Sequence, residues 1–232
     1  MGSPNVIKVI IALEEMNIPY RLCPVDVSKG EHHDPNNVGG LATGKLPIIV
    51  DEQPADSGES FAVFESGAIL QYLAEKSGSF LPSDARSRST AMQWLFWQMA
   101  NVGPIMGQAW HFLQWAPLIA PDVDNSYSYN RYFKMFTAIC KTMDRRLGEA
   151  EYLAGEYSIA DMACYPWIAY LEPLEGIESY PNILRWKTAI AEREAVIRAY
   201  EAHLTVDMGY ERTARGAPML PLEGVVQHVV IA

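Results

Sequence analysis

The chain has 232 residues, 49% of them hydrophobic, enough to bury one large core or two smaller ones. A formal charge of -10 and an isoelectric point near 5.0 argue against nucleic acid or an anionic membrane as a primary partner. Three cysteines without C-x-x-C spacing argue against a disulfide framework; with no leader or membrane-spanning stretch, they predict a cytoplasmic protein.

Ser3-Pro4-Asn5 leads into a helical pattern, Val6, Val9, Ile10 and Leu13, that stops at Asn17-Ile18-Pro19. Tyr20 to Val27 reads as a strand, and the polar loop Ser28 to Leu41 carries His32 and His33. Lys45-Leu46-Pro47 opens a second strand, Ile48 to Val50. A turn rich in Pro, Asp, Gly and Ser joins it to a third, Ser60 to Phe64, as an antiparallel hairpin. At Glu65-Ser66-Gly67 the period becomes helical, with Ile69, Leu70, Leu73 and Ala74 on one face and Ser66 as the expected N-cap. Helix, strand, loop, hairpin and helix make a thioredoxin-like α/β domain over residues 1–77.

Residues 78–85 form a linker, residues 86–205 an all-helical domain and residues 206–232 a C-terminal tail. In the helical part, Met92, Leu95, Phe96, Met99 and Val102 follow one helix that Gly103-Pro104 breaks or kinks. A long apolar stripe runs from Tyr129 to Leu147. Ser158 and Asp161 have the spacing of a capping box, flanked by Tyr157 and Met162 as a hydrophobic staple. Pro181 starts another helix through Arg193, and a shorter one follows to about His203.

A helix N-terminus beside Glu65 and Ser66 suits a small zwitterion: backbone N–H groups take its carboxylate and Glu65 its ammonium. Leu46, held extended before Pro47, can pair its backbone with a peptide ligand. Ser3 and Asn5 either cap the first helix or stabilise a bound thiolate at its positive end. His32 and His33 lack a third partner for a metal, so no metal is expected. Trp110, His111, Trp115 and Tyr165 either line an apolar pocket or fill the core. Cys140 and Cys164 read as buried, and Cys23 lies in a strand rather than at a helix start.

Lys45-Leu46-Pro47 followed by Phe64-Glu65-Ser66-Gly67-Ala68-Ile69 resembles the glutathione site of the cytosolic glutathione transferases. Ser3-Pro4-Asn5, Ile11-Ala12-Leu13-Glu14-Glu15, Pro54-Ala55-Asp56, Gln93 to Gln98 and Tyr157 to Asp161 are similar to the bacterial Nu-class branch, the YfcG/YghU type, whose first motif is Thr-Pro-Asn. The resemblance implies that Pro47 is cis and that Glu65 and Ser66 hold the γ-glutamyl end of glutathione. It places Lys45 near the glycyl carboxylate and Arg131 on glutathione, typically across a homodimer interface. A Nu-class glutamine falls at His32, which leaves a glutathione contact there beside the ordinary loop reading. Implied too are Ser3 and Asn5 as the catalytic pair and glutathione, reduced or as the disulfide, as the only thiol needed. The implied activity is disulfide-bond reduction or glutathione transfer. The alternatives are a lyase or transferase acting on aromatic ethers or halides, and a non-catalytic glutathione-binding regulator.

Members of that family carry an apolar strand ahead of Thr-Pro-Asn, inside the sheet. Here only two residues precede Ser3, so the first strand is expected to be missing: either the true start lies upstream or something else fills the slot. The β-branched stretch Val225 to Ile231 can form a strand, for which the surface or a partner is the expected place and the vacant slot the less favoured one.

Overall fold

The computed structural model describes residues 3–27, 29–41, 43–169, 177–205 and 225–231, with side chains throughout except at 177, 203–205 and 225–231. The chain start and residues 206–224 of the expected tail lie outside the described residues. Contacts group the chain into two units, Met1–Leu81 with Glu192–Ala232, and Pro82–Ala191.

In the first unit, α1 (Pro4–Glu15) begins with a proline in its first turn and buries every residue from Val6 to Leu13, so it is enclosed all round. Asn17 ends it with φ +51°. The N–H groups of Asn17 and Ile18 reach back to the carbonyls of Glu14 (3.3 Å) and Leu13 (3.0 Å), a Schellman closure. The chain turns at once into β1 (Tyr20–Asp26). The hairpin is β2 (Ile48–Asp51) with β3 (Phe61–Phe64), pairing Ile48 with Phe64 and Asp51 with Phe61. It leads into α2 (Ser66–Ser77), whose N-cap is Glu65 rather than the expected Ser66. Asp51, fully buried at the end of β2, clasps α2. It accepts from Tyr72 Oη at 2.6 Å and Lys76 Nζ at 2.5 Å, and Lys76 also donates to the Gln53 carbonyl at 2.6 Å.

The tail departs from expectation. Residues Val225–Ile231 form β4 in the interior of the sheet, whose order is β1-β4-β2-β3. The strand is antiparallel to β1, from Tyr20↔Ile231 to Asp26↔Val225, and parallel to β2, from Ile49↔Val229 to Asp51↔Ile231. A run of β-branched residues suits a place paired on both edges, and the less favoured location is the one adopted. The last described helix, α9 (Glu194–Thr205), packs on α1. Arg193 binds Glu15 at 2.5 and 2.8 Å, and Arg198 binds Glu14 at 2.8 Å.

The second unit opens with a helical path of α3 (Ala85–Trp97), a π-turn at Gln98–Val102, α4 (Gly103–Trp110), a second π-turn at His111–Trp115, and α5 (Ala116–Ile119). Each π-turn ends just before a proline, Pro104 or Pro117. A proline has no N–H and its ring crowds the carbonyl four residues back, so widening the preceding turn by one residue continues the helix where the sequence predicts a break. The buried stripe Phe136, Ile139, Cys140, Met143 and Leu147 places α6 (Ser126–Glu149) against the other helices. α7 (Ile159–Ala169) starts at the expected capping box: Ser158 Oγ accepts from Ala160 N at 3.3 Å, and Asp161 accepts from Ser158 N at 3.1 Å. Asp161 further accepts from Leu153 N (3.0 Å) and Trp186 Nε1 (2.8 Å), tying α7 to α8 (Pro181–Ala191).

Candidate active site

One end of the first unit's sheet gathers most of the residues singled out in the sequence. There β2 begins after Pro47, β3 delivers the chain to Glu65 and Ser66, and α1 starts at Ser3. β1 ends there at Asp26, opposite the first residue of β4.

Ser3 occupies the N-cap position of α1 with φ -60° and ψ 129°, and its carbonyl accepts from Val6 N and Ile7 N at 2.9 and 3.0 Å. Its side chain makes no capping bond, so capping does not consume the hydroxyl. Asn5, in the first turn, is half-buried. The Leu46–Pro47 peptide is cis. Pro47 is buried, Leu46 half-buried and Lys45 exposed, so a cation stands beside the backbone before the proline.

Gly44 adopts φ +73°, and a Cβ on it would stand 3.0 Å from His33 Cε1, so a side chain here would be strained by the backbone and would crowd the histidine. His32 packs on His33 with ring centroids 3.9 Å apart, and its buried Nδ1 has no hydrogen-bond partner among the described residues. Glu65 is exposed and holds φ +65°, ψ 111°, a conformation costly for any residue with a Cβ and concentrated at ligand sites. Ser66 follows, buried, as the first residue of α2. This corner of an acidic protein thus presents two helix N-termini, Lys45 and the exposed Glu65 carboxylate, a charge pattern for a small ligand carrying both signs.

Cys23 sits in mid-strand in β1, 3.2 Å from Arg21 Nη1, while Cys140 and Cys164 are buried in the second unit. Burial, with the charge of Asp144, pushes the Cys140 thiol up to about 12, so it stays protonated and inert. No group of three or more His, Cys, Asp or Glu among the described residues is placed to hold a metal ion. A cleft of about 370 Å³ lies at the far end of α1, but its Glu14, Glu15, Arg193 and Arg198 already bind one another, so it is a clasp between helices rather than a reaction site.

In the second unit Arg131 is exposed on α6, with no ion pair among the described residues. Trp110 closes α4, while His111 and Trp115 bound the second π-turn. His111 meets Phe112 edge-on at 5.1 Å, and Phe112 stacks on Tyr132 at 5.7 Å. Phe112 escapes the sequence reading because the π-turn rotates the helix face by one residue, while Tyr132 enters it only as part of the apolar stripe of α6. Tyr165 is a core residue, its ring 6.0 Å from that of Trp186.

The N-terminal domain of glutathione S-transferases matches residues 1–80, and the C-terminal domain matches residues 115–194. The chain belongs to the glutathione S-transferase family. It is 40% identical over 213 residues to the disulfide-bond oxidoreductase YfcG of Escherichia coli (strain K12), covering 91% of this chain and 95% of that protein. A glutathione transferase family member from Pseudomonas fluorescens pf-5, solved with two glutathione bound, superposes with a TM-score of 0.79 at 33% identity over 86% of this chain and 89% of that one. A glutathione transferase from Pseudomonas putida, solved with one glutathione disulfide per subunit, gives 0.79 at 33% identity over 86% and 87%.

Proposed function

We propose that this glutathione S-transferase is a Nu-class enzyme that uses the glutathione thiolate to reduce disulfides. The observation that carries the reading is the convergence, at one end of one sheet, of three features: the cis-Pro47 strand, the strained Glu65–Ser66 helix start and the uncapped Ser3–Asn5 helix. The solved relatives with two glutathiones or glutathione disulfide bound support it.

Glu65 takes the ammonium of glutathione and the first N–H groups of α2 take its γ-glutamyl carboxylate. Leu46 pairs with its peptide backbone. Lys45, His32 and the Arg131 of a partner subunit surround its glycyl end, which makes the working form a homodimer; the working compartment is the cytoplasm. The Ser3 hydroxyl and Asn5 amide donate to the sulfur at the positive end of α1, so the thiol ionises near neutral pH. The thiolate attacks one sulfur of the substrate disulfide, forming a mixed disulfide and expelling the other sulfur as a thiolate that takes up a proton. A second glutathione thiolate attacks the mixed disulfide, yielding glutathione disulfide and the second product thiol. No protein cysteine takes part.

Loss of one hydrogen bond to a charged group, the sulfur for Asn5 and the γ-glutamyl carboxylate for Ser66, costs about 1.5–3 kcal/mol, about tenfold to a hundredfold in kcat/KM. Asn5→Ala and Ser66→Ala are each expected to lower glutathione-dependent reduction of bis(2-hydroxyethyl) disulfide by that factor. Unchanged rates in both variants would remove the mechanism. The aromatic His111–Phe112–Tyr132 face favours a second reading, transfer or cleavage of aromatic ethers or halides. Turnover of an aryl halide without turnover of disulfides would select it. The ground for a non-catalytic regulator, an unfilled sheet interior, is gone because β4 occupies that position.

A further inference from the structure

Among the described residues, β1 pairs only with β4, and no ladder joins β1 to β2 directly. The hairpin that carries Pro47, Glu65 and Ser66 is linked within the sheet to the α1–β1 side, which carries Ser3 and Asn5, through residues 225–231. That segment holds seven register positions along β1 and three along β2. Its first residue, Val225, lies opposite Asp26, so β4 enters the sheet at the same end as the candidate glutathione site.

We propose that the space between β1 and β2 is a strand-binding slot for the chain's own segment 225–231, and that glutathione and this segment bind cooperatively. The proposal rests on the glutathione reading of the site. A ligand that touches both Ser3–Asn5 and Leu46–Glu65–Ser66 binds well only when the two sides stand at a fixed separation. An inserted strand sets that separation at two strand spacings, about 9.6 Å. Whatever favours the spaced sheet favours both occupants, and the linkage is reciprocal. The slot demands an extended segment that can hydrogen-bond along both edges, which excludes proline. Five of the seven residues from Val225 to Ile231 are β-branched and none is proline, whereas the preceding stretch contains Pro218 and Pro221.

The test is hydrogen–deuterium exchange on the full chain, with and without saturating glutathione disulfide, beside calorimetry on the same sample. Exchange of the 225–231 amides is expected to slow about tenfold with ligand, and Val229→Pro is expected to weaken ligand binding about tenfold while the far-UV helical signal persists. Normal binding heat with unchanged exchange at 225–231 in the wild-type chain overturns the coupling alone. No binding heat with either redox form sinks the glutathione reading and the coupling with it.

Discussion

Asp161 has no cation among the described residues; N–H and O–H donors from Leu153, Ser158 and Trp186 hold it instead. Burial pushes its carboxyl up to about 6 against those donors, which pull the other way. A value above the unfolded one means that the folded state keeps the proton more tightly. Its stabilising contribution is therefore complete below about pH 4, lost between about 4 and 6, and absent above. Asp161→Asn has no such titration. The wild-type stability minus that of the variant should fall by about 2 kcal/mol from pH 4 to pH 7 in denaturant titrations, and a flat difference would contradict the shift. Ser158 and Asp161 were legible in the sequence because a capping box is a local spacing. The positive φ of Glu65 was not, since nothing in a glutamate announces a conformation that its own side chain disfavours. The packing of His33 on Gly44 was hidden too, because the two residues are apart in sequence and meet only once the loop folds back.

Among elements, the α2 clasp on β2 is exposed to a single substitution. Burial alone would raise the Asp51 carboxyl, but the bonds from Lys76 and Tyr72 outweigh it and hold the group below its ordinary range. The pairing thus contributes above the unfolded carboxylate value and is lost as pH falls through the folded one. Lys76→Met leaves a buried carboxylate without its cation, which should cost about 3 kcal/mol at pH 7, read as a lower urea midpoint. A midpoint equal to wild type would show that Asp51 needs no counter-charge. The hairpin and α1, with its stop at Asn17, were readable because apolar periodicity and turn residues mark them residue by residue. The π-turns were not, because Pro104 and Pro117 announce a disturbed helix without saying whether it breaks or widens. Nor was the direction of β4: Val-Val-Gln-His-Val-Val-Ile offers β-branched residues at both ends, so its pattern suits either polarity and any edge.

At the scale of the whole molecule, a ligand that binds only the native form stabilises it by mass action. Glutathione disulfide at a hundredfold excess over its Kd should add about 2.7 kcal/mol, a rise in Tm of about 5–10 °C for a chain of this size. An unmoved Tm at that excess, over a Kd measured separately, would contradict a site built in the folded sheet. The division into two units adds a temporal order. The first unit is discontinuous, its sheet being completed by residues translated after the entire second unit. Domains ordinarily fold as they emerge from the ribosome, amino-terminal first. Here α1, β1 and the hairpin leave the ribosome early and must wait for β4, while residues 82–191 can already fold. The segment that confers the early half's final form is synthesised only after the whole of the second unit.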